Sequence, residues 1–213
     1  MNPINLTARD LALLDALTLR IRVLSVEQIA RTWFSDSQDP CRNAIRRIAA
    51  LARAGAVERF DAHARPDLAL THPIAVWMPE GPAPDFERLS YQLASRWRAP
   101  AMPVSVVIAT RVAGTWTGGY GGRRPRRSEL SHDLSLAGVY LHWMQRKSHE
   151  AARWISEATL RKHGFGERGI LPDVLIEEPG RRRIVELGGM YGAAKLREFH
   201  RFCALRGLAY EIW

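Results

Sequence analysis

The stretch ILPDVLIEEPGRRRIVELGG, Ile170 to Gly189, decides how the second half of the chain is read. Pro172-Asp173 opens a β-branched run, a turn through Glu177–Gly180 follows, and a second apolar run ends at Glu186. The pattern predicts two adjacent strands, with twelve residues between Asp173 and Glu186, so both carboxylates return to one sheet edge. Paired carboxylates suit a hard cation such as Mg²⁺, which takes oxygen ligands and activates water against a phosphodiester. Glu157 is a candidate third ligand. A lysine two residues after the second acid would complete such a site, but that position is Gly188. The nearest substitute is Lys195, in the next predicted helix.

Working outward, ELSHDLSLAGVYLHWMQRK from Glu129 reads as a helix with Leu134, Ala137 and Leu141 inward. ARWISEATLR and the two strands follow, then GAAKLREFHRFCALRG, a helix with Leu196, Phe199 and Cys203 on one face. LAYEIW closes as a strand. The order helix, strands, helix, strand resembles the PD-(D/E)XK nuclease core. In active members of that superfamily a Glu-x-Lys cation faces the developing charge of phosphoryl transfer. Here the triplet is Glu-Leu-Gly.

The N-terminal third predicts three helices. Thr7 caps the first and Ser25 the second. In SQDPCRNAIRRIAALARAGAVERF, Asp39 caps the third, Pro40 suits its first position and Gly55 its end. Ile45, Ile48, Leu51 and Ala52 form the expected buried stripe, leaving Arg42, Asn43, Arg46, Arg47 and Arg53 mainly off it. AGAVERFDA and HPIAVWMPE read as two strands joined by a turn through His63–Pro66. Three helices and a two-stranded wing make a winged helix-turn-helix, whose third helix enters the major groove. The alternatives are a three-helix bundle with a solvated basic face and a winged helix used for protein contacts.

The net charge is +9 and the isoelectric point near 10.3, which favours a polyanionic partner. Residues 1–80 carry 10 Lys/Arg against 9 Asp/Glu and 129–213 carry 13 against 11, whereas 81–128 carry 8 against 2. The excess therefore lies in the middle segment, where GTWTGGYGGRRPRRSE brings Arg123, Arg124, Arg126 and Arg127 behind a glycine-rich turn. No Gly-Lys-Ser/Thr follows the glycines, so this is not a phosphate-cradling P-loop. It reads either as a flexible hairpin or linker whose arginines touch the DNA backbone or as a solvated linker that makes no contact, with Arg65 in the wing turn as a further candidate contact.

Other chemistries fit worse. His149-Glu150 lacks the second histidine of a zinc helix, and no Gly-x-Ser-x-Gly elbow occurs. Cys41 and Cys203 fit no CxxC spacing and read as reduced thiols in a cytoplasm. No apolar run is long enough to span a membrane, and MNPINLTARD has no secretory apolar core. Trp77, Trp143 and Trp154 sit in apolar patterns and read as core.

Taken in order, LTARDLALLDAL, SVEQIAR, AIRRIAALARAGAVERF, SHDLSLAGV, WISEATLR and PDVLI…RRIVELGG resemble the replication-relaxation family of plasmids and other mobile elements. The resemblance implies a DNA-binding regulator of replication or transfer, and does not by itself imply cleavage. The expected class is α+β: a winged helix over 1–80, a connecting segment over 81–128, and a PD-(D/E)XK-like α/β domain over 129–213. The first strand of that domain comes either from within this range or from 103–110. The expected partners are double-stranded DNA, a second copy of the chain, and replication or conjugation proteins, with no membrane. A winged helix reads one half-site, so pairing two copies through the C-terminal domain gives specificity. Binding needs no cofactor. Two functional readings stay open. One is a sequence-specific regulator on a nuclease scaffold that no longer cuts. The other is a Mg²⁺-dependent endonuclease using Asp173, Glu186 and Glu157, with Lys195 as displaced cation.

Overall fold

A computed structural model describes residues 4–68, 70–167 and 169–213. They form a mixed α+β structure. The elements in chain order are α1 (Ala8–Asp15), a π-helical turn (Ala16–Arg20), β1 (Leu24–Ser25), α2 (Val26–Trp33), α3 (Pro40–Arg53), β2 (Val57–Ala64), β3 (Ala75–Trp77) and α4 (Phe86–Arg96). There follow β4 (Met102–Ala109), α5 (Arg111–Thr117), α6 (Arg127–Arg146), α7 (Ser148–Ala151), β5 (Trp154–Ser156), α8 (Glu157–Lys162), β6 (Val174–Glu178), β7 (Arg181–Glu186), α9 (Ala193–Ala204) and β8 (Ala209–Ile212). Among the described residues no helix is long and apolar enough to cross a membrane.

The chain divides into two interleaved units. The first comprises the chain up to Asp67 together with Pro100–Leu141. Its helices begin where the caps predict. Thr7 and Asp10 form a reciprocal capping box on α1, and Ser25 and Gln28 do so on α2. Asp39 accepts the Arg42 N–H at 3.0 Å, and Pro40 opens α3. Left-handed Gly55 (φ 75°) ends α3 by letting the Ala56 N–H reach back to the Leu51 carbonyl at 2.9 Å. A three-stranded antiparallel sheet of order β1-β4-β2 backs these helices. Val23, Val106, Ile108, Leu130 and Leu134 fill the core under it.

The expected hairpin through His63–Pro66 does not form. All eight residues of β2 pair with β4, Val57 opposite Ala109 and Ala64 opposite Met102, while HPIAVW supplies β3 to the other sheet. The physical reason is length. A strand of alternating burial eight residues long needs a partner equally long, and β3 has only three residues. The strand at 103–110 therefore belongs to the N-terminal unit and not to the C-terminal one. The segment 81–128 is not a connector either, since it contributes α4 to one unit and β4 and α5 to the other.

The second unit comprises Leu68 to Ala99 together with His142–Trp213. Its five-stranded sheet has the order β3-β8-β7-β6-β5. β5, β6 and β7 run antiparallel in sequence, α9 crosses over, and β8 returns parallel to β7. A two-residue turn at Pro179-Gly180, with Gly180 left-handed, joins β6 to β7. Leu196, Phe199 and Cys203 of α9 face the sheet as the periodicity predicts, and Leu89 and Leu93 of α4 join the same core. Trp77, Trp143 and Trp154 are buried, as expected.

Candidate nucleic-acid interface and the paired carboxylates

On α3 the residues facing inward are Ala44, Ile48 and Leu51. Ile45, expected in the core, is 39 % exposed, and Ala52 is half-buried, so the stripe is rotated from the expected one. Arg42, Arg46 and Arg53 recur at near-helical spacing on the opposite, exposed side. The Arg46 guanidinium donates to Asn43 Oδ1 at 3.0 Å, which orders the two side chains together.

Arg47 departs from expectation. Its Nε donates to Asp10 Oδ1 at 2.8 Å and its Nη2 to Asp10 Oδ2 at 2.5 Å and the Asn5 carbonyl at 2.9 Å. Asp10 is 1 % exposed. Burial alone would raise that carboxyl, but hydrogen bonds from Arg47 and Thr7, with the Arg47 charge, hold it below its ordinary value. Arg47 therefore fastens α3 to α1 and is not displayed for a ligand in the manner of Arg42. Arg9 of α1, which sequence reasoning missed, lies 4.6 Å over the Phe34 ring. It joins Asn43, Arg46, Arg47 and Arg53 around an open hollow of about 410 Å³. Only its place one residue before Asp10, the partner of Thr7 in the capping box, could have drawn attention to it.

The second basic group is partly engaged. Arg124 pairs with Glu58 and lies 4.5 Å over the Phe60 ring. Glu129 gathers Arg22 at 3.2 Å, Arg123 at 3.7 Å and Arg126 at 4.0 Å. Burial would raise the Glu129 carboxyl, but the Arg126 backbone N–H and the three arginine charges together keep it low. The Arg123, Arg124 and Arg126 side chains are nonetheless more than half exposed, and exposed pairs of this kind hold weakly. Arg127 is exposed. Arg65 is half-buried and its backbone N–H donates to Ser131 Oγ at 2.9 Å.

The paired carboxylates meet as the sequence predicts. One register step beyond Val174 opposite Val185, Asp173 stands across from Glu186. The Asp173 N–H donates to Glu186 Oε2 at 3.1 Å, and the Leu187 N–H donates to Asp173 Oδ2 at 2.8 Å. The Tyr191 hydroxyl donates to Glu186 Oε1 at 3.0 Å. Burial first, and then the Glu186 and Asp173 charges, push the Tyr191 phenol far upward, so it stays a donor. Burial and the Glu186 charge also push the Cys203 thiol up to about 12. Lys195 lies with Nζ 3.4 Å from the centre of the Tyr191 ring. Glu157 opens α8 and pairs with Arg161 on the same helix.

Gly188 has a steric reason. A Cβ there would stand 2.1 Å from Leu93 Cδ2 and 2.8 Å from Cδ1, and Leu93 is fully buried. Trp97 Nε1 donates to the Gly188 carbonyl at 3.1 Å, holding the end of α4 over the same backbone. The space a lysine stem would need at this position is filled by Leu93 of α4. Among the described residues no group of three or more His, Cys, Asp or Glu side chains is placed to hold a metal ion.

The chain matches no family model, no curated protein and no solved structure.

Proposed function

We propose that the protein is a sequence-specific double-stranded DNA-binding regulator, built as a winged helix joined to a PD-(D/E)XK-like unit that does not cut. One observation carries the proposal: Arg42, Arg46 and Arg53 form an exposed stripe on α3, with Asn43 beside it. Arginine and asparagine are the side chains that make bidentate contacts to guanine and adenine edges in the major groove. The helix–turn–helix of α2 and α3 with a sheet of order β1-β4-β2 supports the winged-helix reading. The antiparallel β5-β6-β7 meander, crossover helix and parallel β8 support the nuclease-like one. A role on a plasmid or other mobile element, in replication, transfer or transcription, is what the resemblance to the replication-relaxation family implies, and dimerisation rests on the half-site logic of such readers.

The non-cutting reading is supported by what the carboxylates already do. Asp173 and Glu186 accept main-chain N–H groups at the end of a sheet, and Tyr191 covers the remaining Glu186 oxygen. The rival, a Mg²⁺-dependent endonuclease, has in its favour the approach of Lys195 to Glu186 through Tyr191. Replacing Arg42, Arg46 and Arg53 with alanine is expected to flatten the salt dependence of duplex binding, by about 0.9 in log–log slope for each phosphate these arginines neutralise. A triple variant with the wild-type slope and affinity would remove α3 as the reader.

A further inference from the structure

Residues 111–128 contain five arginines and no acid, and they carry two aromatic rings in solvent, Trp116 at 47 % exposure and Tyr120 at 37 %. Their glycine-rich composition predicts a flexible arm. The stretch is instead an ordered strap. The Gly119 N–H donates to the Gly114 carbonyl at 2.9 Å, the Tyr120 N–H to the Thr18 carbonyl at 2.8 Å, and the Gly122 N–H to the Ala109 carbonyl at 2.8 Å. The glycines are required by close approach: a Cβ on Gly119 would lie 2.5 Å from the Thr18 oxygen, and one on Gly121 2.1 Å from the Thr110 oxygen. Tyr120 is thus held by backbone pinned on both sides, and the residue stays partly exposed.

Single exposed apolar residues are ordinary. Two aromatic rings on an acid-free, arginine-rich strap, one of them on a backbone fixed at three points, need a partner with flat apolar faces and negative charge. We propose that α5 and the strap form a second nucleic-acid contact that takes unpaired bases of single-stranded DNA, stacking them on Trp116 and Tyr120. Arg111, Arg123 and Arg127 meet the phosphates. Single strands offer base faces, whereas a duplex buries them and offers edges. A second copy of this chain is a poorer occupant, because a two-fold contact would bring the same arginines face to face. The pairs of Arg123 and Arg126 with Glu129 and of Arg124 with Glu58 are exposed enough for phosphate to compete. This surface uses none of the α3 arginines.

The test is fluorescence anisotropy of the full chain with a labelled oligothymidine of about 20 nucleotides, a length that covers one or more sites, and in parallel with a duplex of equal length. Trp116→Ala and Tyr120→Ala are each expected to weaken single-strand binding about tenfold, with Trp116→Phe retaining most of it and duplex binding unchanged. No single-strand binding by the wild type, an equal loss on both substrates, or no loss on either would overturn the proposal. So would a variant that loses only self-association in sedimentation, which would mark the face as an interface between copies. If the wild type fails on duplex but its single-strand binding falls in these variants, the strap proposal stands and the α3 reading falls.

Discussion

The outer face of α3 and the open end of the β6–β7 hairpin resemble each other in the sequence, each a cluster of charged residues where a ligand is expected. In the folded chain they differ in what their charges already touch. Arg42, Arg46 and Arg53 stand in solvent, with Asn43 as a neighbour that orients without neutralising. Asp173 and Glu186 are taken up by two main-chain N–H groups and a tyrosine hydroxyl. A charged cluster is available for binding only to the extent that its own fold leaves its hydrogen-bonding capacity unused. A buried carboxylate satisfied by backbone donors closes a sheet end as well as it would hold a ligand.

The contrast breaks most visibly at Gly188. If the second site had merely lost its lysine, Gly188→Lys should restore it at little cost to the fold. The Leu93 contact predicts the opposite. Forcing a side chain into this closed core is expected to cost about 1–3 kcal/mol. Urea denaturation reads this out, and a variant as stable as the wild type would show that α4 yields and that the acid pair is an open site.

A comparable effect sharpens the other side. Arg47→Ala is expected to destabilise the protein by about 3 kcal/mol, because it strands the Asp10 carboxylate in the interior. Arg46→Ala, one residue away and exposed, should stay within about 0.5 kcal/mol. The pH dependence follows from the lowered Asp10 value. A carboxyl held below its ordinary value stabilises the fold above the unfolded carboxylate range, and that contribution fades as pH falls through the lower, folded value. The difference between Arg47→Ala and wild type should therefore be full at neutral pH and shrink below about pH 4. Equal unfolding midpoints for the Arg46 and Arg47 variants would mean that the two side chains are not differently employed.

Much of this was legible in the sequence because it is local. The caps at Thr7, Ser25 and Asp39, the hairpin with its acids thirteen positions apart, and the α9 stripe each depend on residues within a few turns of one another. What escaped was non-local. The true partner of β2 comes only after residues 65–101 have contributed β3 and α4 to the other unit, and no periodicity announces such a detour. Helical spacing placed Arg47 off the buried stripe but not against Asp10 of α1. It likewise gave no sign that Leu93 would occupy the space beside Gly188, ninety-five positions later in the chain. The glycines of the strap looked like flexibility because close backbone approach and looseness have the same composition.

The most direct measurement of the contrast is a single duplex-DNA titration, with Mg²⁺ present, of the wild type, the Arg42/Arg46/Arg53 alanine triple and Glu186→Gln, each sample run afterwards on a gel. The predicted result is that the triple loses most affinity, that Glu186→Gln binds as the wild type does, and that no sample is cut. Undiminished binding by the triple, or wild-type cleavage abolished in Glu186→Gln, would contradict the account and return the paired carboxylates to the centre of the protein's function.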